Sequence, residues 1–288
     1  MTIVMLVVAV LASFVIAFLV VNRPVSITVD GLPPAGFPDD GFSHATFETL
    51  LRRHVDKEGQ VDFAAWHASA ADRAGLESYL AAVAAYSPQS SPDRFASRQD
   101  ALAYWMYAYN AWVIYSVLEH WPLSSVTDVR APIEAVTGLG FFYRQRFRFG
   151  GESLSLYKVE NERIRAAFQD PRIHFVLYCA SGSCPPIRPE LPAGEALERL
   201  LARATHDFLG DPGNVGIDHE TETIILSAIF EMYESDFTRE VTRRGVAGDR
   251  GVLDYVILEA PGELREALTA ARDYNVVFRP YDWSIAAR

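Results

Sequence analysis

The amino-acid sequence predicts an α+β fold: a single domain, mostly helices around a small sheet, set behind an N-terminal membrane helix. Beyond residue 42, apolar residues at helical spacing dominate the chain, and short β-branched or aromatic runs are scattered between them. A doubly wound parallel sheet needs strands and helices in strict alternation, so that architecture is disfavoured. Half of the 288 residues are apolar, ample for a sizeable core. The net charge of −11 and a pI near 5.1 speak against a nucleic-acid partner, which selects clustered Lys and Arg on one face.

Ile3 to Val21 is apolar apart from Ser13 and carries no charge. As a helix this run is ~28 Å long, close to the hydrocarbon thickness of a bilayer. Residues 1–23 are therefore expected to be an anchor contacting the membrane through residues 3–21. The alternative is a cleaved signal that releases the domain to the periplasm. The run is longer than a usual signal core, lacks a basic leading region, and meets Asn22-Arg23-Pro24 where small residues would mark cleavage. Two close cysteines downstream suit an oxidising compartment, so the expected location is the inner membrane with the domain in the periplasm.

Residues 24–41 are rich in Pro and Gly, and are expected as an extended tether before a domain over 42–288. Ser43 is a candidate cap for an amphipathic helix carrying Phe47, Leu50, Leu51 and Val55. Residues 56–62 make a turn, and a second helix runs from Gly75 to Tyr86. The most apolar helix spans about Phe95 to Trp121. Its stripes Leu102-Trp105-Tyr109-Trp112 and Met106-Asn110-Val113-Val117 leave almost no polar face, which places it at the centre of the domain. Asn110 lies on an apolar stripe, where an amide removed from water must find partners. It either ties a neighbouring loop or belongs to a pocket.

Residues 147–154 resemble a β-hairpin, and Ser155 caps a helix from Leu156 to Phe168. Glu160 shares that helix with Arg163, and a surface ion pair is the plain expectation. Gly194 to Phe208 forms another helix. Val215–Ile217 and Thr223–Leu226 read as a hairpin, and Ser227 caps a helix through Phe237. Helices over 251–258 and 262–272 and a final strand over 275–279 complete the chain.

The stretch from Asp170 to Pro186 collects His174, Cys179 and Cys184. Ile173 to Leu177 reads as a core strand emptying into a tight Ser-Gly-Ser loop. On such a strand His174 shares a face with Val176 and Tyr178, while Cys179 shares one with Phe175 and Leu177, so a direct Cys179–His174 dyad is disfavoured. Three chemistries fit the loop. Cys179 and Cys184 can form a disulfide that pins the turn. Either cysteine can act as a nucleophile with His174 as base, and with Glu160 and Asn110 in support. His174, Cys179 and Cys184 can supply three zinc ligands, although paired Cys-x-x-Cys knuckles and a nameable fourth ligand are missing. No metal and no cofactor is the expectation; a small molecule or peptide is the expected ligand.

Several motifs in order resemble the family catalogued as domain of unknown function 547: Val61-Asp62-Phe63, Ala103 to Ala111, Gly151 to Leu156 with Glu160 behind, Asp170 to Phe175, Cys179 to Pro186, and Tyr281-Asp282-Trp283-Ser284. The resemblance implies one domain, with Asn110, Glu160, His174, Cys179 and Cys184 as residues of interest, and it implies no settled activity. Many relatives place a histidine after the glutamate, where this chain has Asn161. The analogy that follows is a papain-like or transglutaminase-like thiol site.

Overall fold

The computed structural model describes residues 12–13, 15–246, 248–249 and 251–287. Residues 12–13 and 15–21 are helical, and the rest of the expected anchor, residues 3–11 and 14, lies outside the described residues. Among the described residues no helix is long and apolar enough to cross a membrane.

The fold is mixed α+β, about 52% helical with two small three-stranded sheets. At its centre is the helix Arg98–Glu119, in which every residue from Leu102 to Leu118 is buried. Ser97 starts it by accepting the Asp100 N–H at 3.0 Å, which satisfies one of the free donors of a helix start. Trp105 and Trp112 pack their rings on Phe149 and Phe147. The first sheet is thereby fixed to one side of this helix.

That sheet runs β1 (Val25–Ser26), β2 (Gln145–Phe149) and β3 (Glu152–Leu154), with β1 parallel to β2 and β2 antiparallel to β3. The β2–β3 hairpin turns through Gly150 and Gly151, both at positive φ, a conformation that costs glycine little. A Cβ on Gly150 would lie 2.2 Å from the Ser87 hydroxyl, so the close approach also requires glycine.

The second sheet contains the antiparallel pair β4 (Val215–Asp218) and β5 (Thr223–Leu226), with β6 (Asn275–Phe278) parallel to β5. Helices Ala45–His54, Ala70–Ala85 and Glu195–Gly210 cover the core with the leucines and aromatics expected of their inner faces.

The Pro- and Gly-rich stretch 24–41 is extended and laid along the domain. Arg94 donates to the carbonyls of Pro38 and Gly41 at 2.8 and 3.0 Å, and Ser78 donates to that of Leu32 at 2.9 Å. Phe37 stacks on Tyr86.

Two expected elements take another form. The strand expected over Ile173–Leu177 is a 3₁₀ turn, Pro171–Phe175. Asp170 accepts the Arg172 N–H at 3.0 Å, and Pro171 has a φ already suited to a helix start. Phe175 buries itself against Phe208 and Phe237 without strand neighbours, so His174 and Cys179 are not held on opposite faces of a strand. The helix expected from Ser227 through Phe237 breaks at Tyr233, into Ala228–Met232 and Glu234–Arg243.

Candidate functional site

The helical stretch from Leu156 to Phe168 is not uniform. Its middle, Val159–Arg165, is π-helical, and a second π segment spans Leu139–Arg144. Such wide turns are rare and concentrate at functional sites. Here the two face a common cleft of about 320 Å³, to which the first contributes Glu160 and Arg165 and the second Phe142 and Tyr143. Behind it a chamber of about 40 Å³ is bordered by His174, Cys179, Cys184 and Glu160. Four of the five candidate residues therefore share one site.

Glu160 does not pair with Arg163. Arg163 instead reaches both carboxylate oxygens of Glu152 at 2.7 Å, because the i→i+5 winding removes the facing geometry of an i,i+3 pair. The Tyr109 hydroxyl stands 3.5 Å from Glu160. Burial, with the Glu160 charge second, raises the phenols of Tyr109 and Tyr233 well above their ordinary range. Tyr281 is pushed up to about 12, chiefly by burial. All three stay protonated at neutral pH and act as donors.

His174 is buried and stacks on Tyr233 at 3.8 Å. Its Nε2 is 2.9 Å from Asp236, which also accepts from Arg165 at 2.6 Å. Burial lowers the His174 pKa, partly offset by the Asp236 bond, so the ring is neutral and donates its Nε2–H. Burial pushes Asp236 up, but bonds from His174 and Arg165 outweigh it and hold the carboxyl well below the usual range. Sequence reasoning missed Asp236. The available signal was Asp236 and Glu240, one helical turn apart beside Phe237 and Val241, which puts both carboxylates on the inner face.

Cys179 and Cys184 form a disulfide with Cα atoms 6.0 Å apart. The Cys179 N–H points at the Cys184 sulfur at 2.7 Å, and the Cys179 sulfur lies 3.0 Å from both the Ser181 and the Tyr281 hydroxyls. The C-terminal segment closes over the loop: Gly182 N–H donates to Ser284 at 2.8 Å and Ala286 N–H to Ala180 at 3.0 Å. Joined to each other, the sulfurs offer no thiolate to a metal. Among the described residues no three His, Cys, Asp or Glu side chains are grouped to hold one.

Asn110 stands behind the site. Its Nδ2 donates to the Val176 carbonyl at 3.1 Å and its Oδ1 accepts the Tyr178 N–H at 2.8 Å. It ties the backbone leading to Cys179, the first of the two roles expected for it.

All five candidate residues fall within one stretch of the chain. Residues 93–209 match the DUF547 family, described as a protein of unknown function. No curated protein and no solved structure matches the chain. The DUF547 stretch runs from the approach to the central helix through the cysteine loop and the helix after it. Asp236, Tyr233 and Tyr281, which complete the site, come from beyond it.

A larger cavity, about 600 Å³, lies among Asp170, Arg172, Glu198, Glu240, Arg243 and Arg244. Its charges are already matched: Arg172 with Asp170, and Arg243 and Arg244 with Glu240. It concentrates no reactive group comparable to those beside Cys179 and Cys184.

Proposed function

We propose that the chain is a ligand-binding module of the cell envelope, held at the membrane through residues 3–21. Its aromatic cleft takes a small molecule or peptide, and the Cys179–Cys184 disulfide pins the cleft's rear wall. The disulfide carries this reading: with the sulfurs bonded to each other, neither is a nucleophile, and the hydrogen bonds around them fix the loop. The cleft volume, about 320 Å³, falls in the range of small-ligand sites. The apolar run Ile3–Val21 and a disulfide, which persists in oxidising compartments, support the envelope location.

The test is a thermal-shift panel of neutral, cationic and anionic small molecules and short peptides on the non-reduced full-length chain. Saturable stabilisation that disappears in Tyr143→Ala and Trp283→Ala supports the reading. Stabilisation by no compound, or stabilisation that both variants retain, contradicts it.

A second reading is a thiol-dependent hydrolase or transferase acting on amide or thioester bonds, with a papain-like or transglutaminase-like fold. What favours it is that His174 and both cysteines border one chamber, with Asp236 orienting the imidazole and two hydroxyls placed at the Cys179 sulfur. After reduction by a dithiol, Cys179 or Cys184 would attack and His174 would accept the proton. Glu160 would serve the leaving group and Asn110 would hold the backbone. Thioester cleavage that appears only after reduction, and is lost in His174→Ala and in one cysteine variant, would establish this reading over the first.

A further inference from the structure

We propose that the ligand of the aromatic cleft carries a cationic group, a protonated or quaternary amine, held by Glu160 among the surrounding rings. This rests on the cleft being a ligand site and goes on to name the class of ligand.

Of the side chains lining the cleft, only Glu160 and Arg165 carry a formal charge at neutral pH. Arg165 is matched within the protein, 2.6 Å from Asp236, and its guanidinium lies over the Tyr233 ring at 5.0 Å. Glu160 makes no ion pair among the described residues; it receives the Tyr109 hydroxyl at 3.5 Å and a hydrogen bond from the Tyr233 hydroxyl. Asp236 also accepts from Arg239 at 3.2 Å, away from the cleft lining, so Glu160 is the one charged group of the cleft wall without an ion-pair partner among the described residues.

The walls point the same way. Tyr143 stacks on Tyr157 with centroids 4.3 Å apart, and Tyr281 lies against Trp283 at 4.4 Å. Aromatic faces attract cations through the ring quadrupole, and ammonium ligands are recognised by groups of such rings. An anionic ligand would meet Glu160 and the negative faces of the rings together. A neutral ligand would cover Glu160 without matching its charge, a desolvation that costs free energy. The net charge of −11 adds a long-range attraction for cations.

The experiment compares choline with 3,3-dimethylbutan-1-ol, its neutral isostere, by calorimetric titration of the non-reduced full-length chain and of its Glu160→Gln variant. Choline should bind saturably and at least about tenfold tighter than the isostere, and Glu160→Gln should remove about tenfold of its affinity. Equal binding of the two probes overturns the proposal, as does choline binding unchanged in Glu160→Gln. Isostere binding lost in Tyr143→Ala would leave the cleft a ligand site and remove only the cationic class. Binding of neither probe overturns the proposal too, and the thermal-shift panel then decides separately whether the cleft binds a ligand of another class.

Discussion

Asn110 serves the backbone of residues 176–178 as a neighbouring strand would, one donor and one acceptor matched to one acceptor and one donor. Asn110→Ala strands both buried backbone groups and should lower stability by about 2–4 kcal/mol, read from urea unfolding of the wild type and the variant. His44 sets a pH dependence. It is buried against the Tyr79 hydroxyl at 2.8 Å, and burial lowers its pKa to about 3. The unfolded histidine takes up a proton near pH 6.5, whereas the folded one resists it. Stability is therefore complete above 6.5 and falls on acidification toward 3, with a slope of about 1.4 kcal/mol per pH unit from this residue. His174, also lowered by burial, adds in the same direction. Unfolding midpoints at pH 7.5, 6.5 and 5.5 should decline in order, and less steeply in His44→Gln. At this scale Asn110 was legible because an amide on an apolar stripe must be partnered. Asp236 was not, because its partner His174 lies 62 residues away and no local spacing records that meeting.

The cysteine loop is held by an element distant in sequence. Ser181 bridges to Ile285, and the Asp282 N–H donates to Ser183 Oγ at 2.8 Å. A Cβ on Gly182 would lie 2.4 Å from Asp282 Oδ2, so Gly182→Ala must push aside the Asp282 carboxylate, which accepts from the Ser284 N–H and hydroxyl and so helps to hold the C-terminal segment. Dithiothreitol should then reduce the Cys179–Cys184 bond several-fold faster than in the wild type, as followed by thiol titration; an unchanged rate would show that the segment does not shield the bond. Helices with regular periodicity and the two hairpins were legible within a few residues, because their period and turn residues are local signals. The π winding of Val159–Arg165 was not. It keeps the composition of an ordinary helix and changes only which side chains face each other, so Glu160 and Arg163 looked paired. Ile173–Leu177 failed for the opposite reason: a short apolar run is compatible with a strand or a helical turn, and the preceding Asp-Pro decided for the turn.

Across the whole molecule, one buried helix organises the layers, and chain segments from both ends complete the structure around it. Residues 24–41 cover Tyr86 and extend the first sheet through Val25 and Ser26. Deleting residues 1–41 should therefore cost about 2–4 kcal/mol through lost apolar burial, whereas deleting residues 1–23 should leave the unfolding midpoint of the domain nearly unchanged. The fold class was legible from the excess of helical periods over scattered strands. The parallel placement of β6 on β5 was not, because strand order depends on contacts across about fifty residues. At the site, this long-range assembly leaves two cysteines bonded to each other at the back of an aromatic cleft, and a ligand-binding role depends on that bond most. The most direct measurement is iodoacetamide labelling of the non-reduced full-length chain across pH, with mass mapping of Cys179 and Cys184. Neither cysteine should be labelled until a reductant is added. Rapid labelling of either one without reductant, well below the reference thiol pKa of about 8.5 and slowed by His174→Ala, would contradict the account and favour thiol catalysis.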